Sequence, residues 1–319
     1  MYYVGVDLGG TNIAIGICDK DLKILDKGSV PTKPDRAPEL IVKDMADLTA
    51  SLLEKNGIKL DEVASVGIAT PGTANSDTGV VEYANNLPFL RFPIADVFKS
   101  YLPVKRVLIE NDANAAAFAE ALAGAAKGAK SSVMITLGTG VGGGIVIDGK
   151  VYSGFNHAGA ELGHIVIEKD GRPCSCGRRG CWEAYSSATG LTNMTREAVN
   201  ECKIKGIPTL MVKEFEETGK VSARTAFTAM KQGDAVGAKV VSEYIEYLAC
   251  GLTNIINIFQ PEVLSIGGGV CNEGDYLLKP LLEIIKTEQY TRSIPDKCAV
   301  KIAKLGNDAG IIGAAGLGL

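Results

Sequence analysis

The chain has 319 residues, 46% of them hydrophobic and 22% charged, with a formal net charge of −4. That length suggests two domains of ordinary size, and the composition excludes global disorder. The small negative charge argues against a general nucleic-acid binder, which needs a basic excess to neutralise phosphates. No secretory signal pattern opens the chain and no apolar run is long enough to cross a bilayer, so we expect a soluble cytoplasmic protein.

The N-terminal part is predicted to begin with a glycine-hinged hairpin and to continue with strands and helices. Apolar residues alternate on both sides of Gly9 and Gly10, which indicates strand, tight turn and strand over residues 2–19. The elements predicted next are a strand at 23–31, a helix at 38–56, a strand at 63–69, a loop-like segment at 83–93, a strand at 104–109 and an alanine-rich helix at 113–126.

The opening pattern returns in the middle of the chain. Val4–Asp19 aligns without a gap with Val133–Asp148, because both segments read as strand, glycine-rich turn and strand and both end at an aspartate. Few positions are identical, but the shared pattern predicts two domains that each begin with such a hairpin. We place the boundary between Gly128 and Ser132.

The C-terminal part is predicted to be mostly helical, with two more short strands. The predicted elements are an interrupted helix at 183–202, helices at 223–231, 234–259, 276–288 and 308–317, and strands at 263–266 and 299–304.

Three glycine clusters follow apolar strands, at Gly9–Thr11, Gly138–Gly140 and Gly267–Gly269. Glycine lets backbone N–H groups approach and wrap phosphate oxygens, and the hydroxyl groups of Thr11 and Thr139 add donors. One cluster alone would indicate a tight turn, whereas three of them favour nucleotide binding.

Two familiar phosphate-binding loops do not fit these clusters. The chain has no G-x-x-x-x-G-K-[ST] motif, which excludes a P-loop. Ile145–Ile147 reads as a strand, whereas a dinucleotide-binding fingerprint requires a helix after its glycines. We therefore predict a phosphate-binding hairpin. Asp7, at the first turn, could orient Mg²⁺ through waters or cap that turn.

Glu110–Asn111–Asp112 lies where a predicted strand ends and a helix begins. Asn and Asp are favoured N-cap residues, so one of the two is expected to cap the helix. A carboxylate at this junction could also act as general base, since phosphoryl transfer to an alcohol needs a group that accepts the hydroxyl proton.

One imidazole and three thiolates, clustered in the middle of the chain, would make a closed tetrahedral Zn²⁺ site. They belong to His164, Cys174, Cys176 and Cys181. Free surface thiols or a disulfide are the alternatives, and a reducing compartment disfavours the disulfide. Four protein ligands leave no position for water, so the metal is predicted to be structural and to fix the loop 161–183. His157 is expected to be a local hydrogen-bonding residue.

Several polar residues in loops suit a polyol, because each sugar hydroxyl can donate to a carboxylate and accept from an amide. They are Asn86, Asn111, Asp112, Glu161, His164 and Glu183.

Seven segments together resemble the ROK family (repressors, open reading frames and kinases) of the actin/Hsp70/sugar-kinase superfamily. They are Asp7–Thr11, Gly67–Gly72, Glu110–Asn114, Leu137–Gly144, His157–His164, Cys174–Glu183 and Gly267–Gly269. The segments span nearly the whole chain in the family's order. The pair Glu-x-Gly-His and Cys-x-Cys-Gly-x-x-Gly-Cys is the most specific part.

The resemblance implies an α/β protein with a two-lobed, ribonuclease H-like fold and an interdomain cleft. An N-terminal small lobe would comprise residues 1–129 and a C-terminal helix at 306–319 that returns to it. A larger lobe, residues 130–305, would carry the zinc-binding loop. Family members are commonly dimers or tetramers, so a homodimer or homotetramer is expected.

The resemblance also implies ATP with Mg²⁺ as the phosphoryl donor and Asp112 as the base that takes the proton of the sugar's 6-hydroxyl. The implied sugar contacts are Gly72, Asn86, Asn111, Asp112, Glu161, His164 and Glu183. The implied donor contacts are Asp7, Gly9, Gly10, Thr11, Asn12, Gly138, Thr139, Gly140 and Gly268. His164 would offer one ring nitrogen to Zn²⁺ and the other to the sugar.

Within the family the chain is most similar to the ATP-dependent glucokinases, which implies glucose 6-phosphate and ADP as products, in carbohydrate metabolism and glycolysis. Kinases for N-acetylmannosamine, N-acetylglucosamine, allose or fructose share most of these residues and stay as alternatives. A non-catalytic sugar-sensing protein is less expected, because no helix-turn-helix precedes Asp7 and Asp112 is present. The polyol-binding residues and the zinc loop argue against an actin-like ATPase.

Overall fold

The computed structural model describes residues 1–319, which form thirteen strands and ten α-helices in mixed order. The strands are β1 (Tyr2–Leu8), β2 (Asn12–Cys18), β3 (Ile24–Pro31), β4 (Val63–Thr70), β5 (Thr73–Asn75), β6 (Val80–Tyr83), β7 (Leu90–Phe92), β8 (Val107–Asn111), β9 (Ser131–Leu137), β10 (Val141–Ile147), β11 (Lys150–Val151), β12 (Val263–Gly267) and β13 (Ala299–Ile302). The helices are α1 (Pro38–Lys55), α2 (Ile94–Tyr101), α3 (Asp112–Ala123), α4 (Glu183–Ser186), α5 (Ala188–Lys205), α6 (Leu210–Thr218), α7 (Thr225–Lys231), α8 (Ala235–Phe259), α9 (Asp275–Glu288) and α10 (Ala309–Gly316). None of the helices combines the length and apolarity that crossing a membrane requires.

The two large sheets repeat one topology. The first has the strand order β3-β2-β1-β4-β8, with antiparallel neighbours on the β3 side and parallel neighbours on the β8 side. The second has the order β11-β10-β9-β12-β13. Strands β5, β6 and β7 form a small antiparallel sheet. The predicted recurrence of a glycine-hinged hairpin is confirmed, since each large sheet contains one, β1–β2 and β9–β10.

The chain divides into two compact units. Unit 1 comprises residues 1–134, 144–160 and 303–319, and unit 2 comprises residues 135–143 and 161–302. The lobe boundaries inferred from the sequence, after residues 129 and 305, remain predictions.

In unit 1, the C-terminal helix α10 packs directly on strands β1 and β4. A Cβ atom at Gly5 would lie 1.9 Å from the Ile311 carbonyl oxygen, and one at Gly67 would lie 1.8 Å from that of Ala314. Helix backbone therefore touches strand backbone with no side chain between them. Glycine is therefore required at residues 5 and 67.

In unit 2, helix α8 provides the surface on which the segment after the cysteines rests. Asp234 caps this helix by accepting from the N–H groups of Val236 and Gly237. The buried indole of Trp182 lies against Gly251 and donates its Nε1–H to the Tyr247 carbonyl at 3.1 Å. The position of the chain at residue 182 is thus fixed by α8.

Several predicted elements are wrong in type or extent. Residues 83–93, predicted as a loop, contain β7, which exists because Phe92 pairs with Val81 across the small sheet. Helices α2 and α6 were not predicted. The strand predicted from residue 104 begins only at Val107, because the Val104 N–H closes a tight turn on the Leu102 carbonyl. The helix predicted to residue 126 ends at Ala123.

The early end of α3 has an identifiable cause. The buried carboxylate of Glu120 accepts from the N–H of Ala125 at 2.5 Å, and from those of Lys304 and Leu305 at 2.8 Å each. The chain therefore turns at Gly124 to bring Ala125 to this carboxylate. The same contacts join α3 to the segment that follows β13.

Candidate active site and metal centre

Unit 1 carries the first glycine hairpin. Asp7 lies one residue before the end of β1, Gly9–Thr11 form the turn, and Asn12 begins β2. The Gly9 N–H donates to the Asn12 carbonyl at 2.9 Å, which closes the turn. Thr32 fixes it from outside: its hydroxyl donates to the Gly9 carbonyl at 2.7 Å and its N–H to the Thr11 carbonyl at 2.9 Å.

Two carboxylates of unit 1 influence each other. Burial, reinforced by the nearby charge of Asp112, raises the pKa of Asp7 to about 6. Burial also raises the pKa of Asp112 above its ordinary value, against hydrogen bonds that lower it. Both groups therefore hold a proton more tightly than exposed aspartates do.

At the Glu110–Asn111–Asp112 junction, the residue that caps helix α3 and the candidate base are two different residues. Asn111 is the N-cap of α3, and its Oδ1 accepts from the N–H groups of Ala113 and Asn114 at 2.9 and 3.1 Å. Asp112 is the first helical residue, and its carboxylate accepts from the Ala113 N–H at 2.9 Å. Asp112 thus retains acceptor capacity for a substrate proton.

Glu110, which precedes this junction, points into the interior. It is 5% exposed and accepts from the Asn111 N–H and the Asn114 side-chain amide at 2.9 and 3.0 Å. Burial raises its pKa. Its contacts hold the strand end and the first helical turn together, which is a structural role.

Two more predicted sugar contacts of unit 1 lie next to these groups. The Asn111 amide donates to the Gly72 carbonyl at 3.0 Å, and Gly72 has a φ of +89° with no room for a side chain beside the Tyr83 carbonyl. A Cβ atom at Gly10 would lie 2.8 Å from the Asn86 amide nitrogen. Asn86, Gly72 and Asn111 are therefore placed around the first hairpin and the start of α3.

His157 behaves as the local hydrogen-bonding residue that the sequence indicates. Its Nδ1 lies 3.3 Å from the Ser76 hydroxyl and its Nε2 lies 3.4 Å from the Asp77 carboxylate. His157 has a φ of +61°, so its loop is held in an uncommon conformation. It connects residues 153–160 to the turn between β5 and β6.

Unit 2 carries the second glycine hairpin, with Gly138, Thr139 and Gly140 between β9 and β10. The Ala188 N–H donates to the Gly138 carbonyl at 2.9 Å, and the Thr189 hydroxyl donates to the Thr139 carbonyl at 2.8 Å. Gly268, with a φ of +99°, lies directly against the Leu137 backbone. The second and third glycine clusters therefore lie together at the end of β9.

Glu183 joins this hairpin to the cysteine region. One carboxylate oxygen accepts from the Val141 N–H at 3.0 Å, and the other accepts from the Ser175 hydroxyl at 3.3 Å. A side chain at Gly140 would lie 2.3 Å from the carboxylate. The predicted sugar-binding carboxylate of unit 2 is thus oriented by two different loops.

The predicted zinc ligands of unit 2 form one cluster. The ligand atoms of His164, Cys174, Cys176 and Cys181 all lie within 4.8 Å of one another. The Sγ atoms of Cys176 and Cys181 are 3.6 Å apart, as are the Cys174 Sγ and the His164 Nδ1. Tetrahedral Zn²⁺ with Zn–S bonds of about 2.3 Å sets its ligand atoms roughly 3.5–4 Å apart, so these four residues fit the ion.

The loop that carries the cluster is shaped by its backbone. The Cys174 N–H donates to the Arg178 carbonyl at 2.9 Å, and Gly177 and Gly180 have positive φ values of 87° and 78°. The Arg178 N–H lowers the pKa of the exposed Cys176 thiol, whereas burial raises that of Cys181 to about 12. Metal binding would replace the thiol protons in any case.

The predicted residues fall into two sets, one in each unit. In unit 1 these are Asp7, Gly9, Gly10, Thr11, Asn12, Gly72, Asn86, Asn111 and Asp112. In unit 2 they are Gly138, Thr139, Gly140, Glu161, His164, Cys174, Cys176, Cys181, Glu183 and Gly268. The sequence analysis missed Thr32, Thr189 and Ser175, which contact site residues. Thr32 and Thr189 lie outside the matched segments, and Ser175 occupies the variable position between Cys174 and Cys176.

Comparison with known proteins gives a consistent result. The ROK family model matches residues 3–319. A glucokinase of Halalkalibacterium halodurans is 37% identical over 98% of this chain and 93% of its own length, and an N-acetyl-D-glucosamine kinase of Haemophilus influenzae is 32% identical over 99% of each chain. The crystal structure of a ROK family glucokinase from Streptomyces griseus, in complex with glucose and AMPPNP, is 33% identical over 99% of each chain, with a TM-score of 0.80.

Proposed function

The chain belongs to the ROK family, and on that premise we propose that it transfers the γ-phosphoryl group of MgATP to O6 of a hexose, most readily glucose. The observation that carries this proposal is the pair Asp112 and Asp7. A half-buried carboxylate with free acceptor capacity stands at the start of α3 and interacts with a second carboxylate at the first glycine hairpin.

The proposed chemistry follows from these groups. Asp112 accepts the proton of the sugar's 6-hydroxyl while O6 forms its bond to the γ-phosphorus. The bond between that phosphorus and the bridging oxygen breaks, and ADP leaves with the electron pair. A raised pKa makes Asp112 a stronger base than an exposed aspartate, which favours the proton transfer.

The remaining residues are proposed to bind and orient. Gly72, Asn86, Asn111, Glu161, His164 and Glu183 contact the sugar. Asp7, Gly9, Gly10, Thr11, Asn12, Gly138, Thr139, Gly140 and Gly268 contact MgATP. The amide of Asn111 is already directed by the Gly72 carbonyl, and the carboxylate of Glu183 by the Val141 N–H. Preorganised polar groups of this kind lower the cost of ordering the site around its substrate.

Zn²⁺ is proposed as a structural ion held by His164, Cys174, Cys176 and Cys181. The ion would supply rigidity to the loop 161–183. The Nδ1 atom of His164 faces Cys174, which leaves Nε2 for the sugar. The metal would thereby fix the orientation of a sugar-binding imidazole.

The test is ATP-dependent phosphorylation of glucose, mannose, fructose, allose, N-acetylglucosamine and N-acetylmannosamine, with the product identified by NMR. We expect the highest kcat/KM with glucose and glucose 6-phosphate as product. Preference for N-acetylglucosamine would move the assignment to the activity named for the Haemophilus influenzae relative. Transfer to none of the six sugars would overturn the proposal.

A cytoplasmic location and a homodimer or homotetramer accompany this proposal. Light scattering coupled to size-exclusion chromatography tests the assembly. A monomer at micromolar concentration would contradict the proposed homodimer or homotetramer.

A further inference from the structure

In each glycine hairpin, the turn accepts a hydrogen bond from a threonine that lies outside the seven matched segments. In unit 1, the buried Thr32 donates its hydroxyl to the Gly9 carbonyl at 2.7 Å and its N–H to the Thr11 carbonyl at 2.9 Å. In unit 2, Thr189 donates its hydroxyl to the Thr139 carbonyl at 2.8 Å. In the gapless alignment of the two hairpins, Gly9 corresponds to Gly138, whose carbonyl accepts from the Ala188 N–H at 2.9 Å.

These contacts determine where the amide hydrogens of the turns point. A trans peptide group is planar, so its N–H points away from the carbonyl oxygen of the preceding residue. A donor on the Gly138 and Thr139 carbonyls therefore directs the N–H groups of Thr139 and Gly140 to the opposite side. No turn or loop hydrogen bond between backbone groups uses either of these two N–H groups.

The second turn has open space beside Gly138. A Cβ atom at Gly138 would meet no atom within 4 Å, and the φ of this residue is not in the left-handed region. Neither packing nor backbone conformation within the protein therefore requires glycine there. Space beside amide hydrogens that lack a protein acceptor is suited to an anion of several oxygens.

We propose that Thr189 is a positioning residue for the phosphoryl donor, and that Thr32 has the same role in the first hairpin. By holding one carbonyl of its turn, each hydroxyl orients the next N–H group toward the polyphosphate of a nucleoside triphosphate. Neither threonine is proposed to touch the reacting atoms. The inference rests on the proposed function for its identification of the donor.

Thr189 is exposed on the first turn of the long helix α5, so its substitution should leave the fold intact. Thr189→Val removes the hydroxyl and keeps the shape, and Thr189→Ser restores the donor. Thr192→Val is the matched control, because Thr192 lies one turn further along α5 and donates only to the Ala188 carbonyl of its own helix. Thr32→Val provides a second, independent test in unit 1.

Steady-state kinetics with ATP and hexose varied in turn give the main result. Loss of one orienting hydrogen bond is expected to raise the KM for ATP about three- to tenfold in Thr189→Val, with the KM for hexose changed less than about twofold. Thr189→Ser is expected to recover most of the ATP affinity. Thr192→Val is expected to match the unsubstituted protein.

Binding of a non-hydrolysable ATP analogue, measured by calorimetry, provides a second result that needs no turnover. If the unsubstituted protein binds the analogue but phosphorylates no sugar, the proposed function fails, while weaker binding by Thr189→Val still supports the positioning role. If the protein is an active kinase and Thr189→Val keeps its ATP KM and analogue affinity, only the positioning role fails. Equal loss of ATP and hexose affinity would also overturn it, because that outcome indicates general damage.

Discussion

Asp112 and Asn111 are adjacent polar residues that take different tasks at the start of α3. Asn111 uses its side-chain oxygen for two helix N–H groups, whereas the Asp112 carboxylate accepts from the Ala113 N–H and retains capacity for a proton. We predict that Asp112→Asn lowers kcat by about 10²–10⁴, because the amide cannot accept the proton of the sugar hydroxyl. Rates from a coupled ADP assay, with glucose affinity from calorimetry, check this.

The same variant separates catalysis from binding. Asn keeps the size of the side chain and its capacity to accept the Ala113 N–H, so glucose affinity should change less than about tenfold. Asp61→Asn, at an exposed site outside the candidate site, controls for the loss of one negative charge. A kcat within a factor of five of the unsubstituted protein would remove Asp112 from the role of base.

Asp7 makes stability depend on pH in a defined direction. Its folded-state pKa of about 6 lies above the ordinary value of 3.8, so the folded protein binds this proton more tightly than the unfolded chain does. The favourable contribution is therefore full below about pH 4 and is lost as pH rises through about 6. At pH 7, the ionised Asp7 costs the ligand-free protein about 3 kcal/mol relative to its protonated form.

Asp7→Asn should consequently stabilise the ligand-free protein at pH 7 by up to about 3 kcal/mol, and by about half of that at pH 5. Urea unfolding at the two pH values measures the difference, with Asp21→Asn at an exposed site as the control. The same substitution should impair phosphoryl transfer. An equal effect on stability at both pH values would contradict the raised pKa.

Which of two neighbouring polar residues caps a helix could not be derived from the sequence. Asn and Asp are both good N-caps, and the choice depends on which residue leaves the strand with extended dihedral angles. Asn111 does so, with φ of −61° and ψ of 146°. The residue types of the site could thus be predicted, and the resemblance implied Asp112 as the base, whereas the choice of Asn111 as the N-cap required the structure.

At the scale of elements, the conformation of the loop 161–183 is proposed to depend on four zinc ligands, which lie in two short segments of the chain. We predict that Cys176→Ser lowers zinc content from about one ion per chain to below about 0.2, because a neutral hydroxyl is a poor ligand where a thiolate is needed. Native mass spectrometry and elemental analysis measure the metal. Glucose affinity should fall as well, since His164 and Glu183 lose their fixed positions.

Cys298→Ser is the matched control, because Cys298 lies outside the cluster and is also a free thiol. It should keep both zinc and glucose affinity. Full zinc occupancy in Cys176→Ser would contradict the ligand assignment. Loss of zinc with unchanged glucose affinity would keep the metal site but remove its link to the sugar.

Elements whose sequence signal is local were predicted, and elements that depend on contacts distant in sequence were missed. The two hairpins, the long helices and the cysteine cluster were visible because their periodicity or spacing lies within a few neighbouring residues. Strand β7 was missed because it has only three residues and pairs with β6 alone. Helix α2 was missed because Pro93 and a short apolar run resemble a loop. Thr32 and Thr189 were missed because each acts on a hairpin 20 or more residues away.

For the whole molecule, the close contact of α10 with β1 and β4 makes the last residues of the chain part of unit 1. Contacts between residues about 250 to 300 positions apart in sequence have an entropic cost of closure, which the packing of backbone on backbone has to offset. Gly5 and Gly67 permit it, since a Cβ at each would lie within 2 Å of a carbonyl oxygen of α10. The resemblance implied that the C-terminal helix returns to the first lobe, but the residues at the contact could not be identified from sequence.

Gly67→Ala tests this arrangement. Its Cβ would lie 1.8 Å from the Ala314 carbonyl oxygen, and because both partners are backbone, neither can move without displacing α10 from the sheet. We predict a loss of about 3 kcal/mol or more in the free energy of unfolding. Gly269→Ala is the control for stability, because a Cβ there meets no atom within 4 Å and its φ is not left-handed. Urea unfolding followed by far-UV circular dichroism should show a large shift for the first variant and less than about 1 kcal/mol for the second, and comparable stability of the two would mean that α10 does not lie against β4 as described.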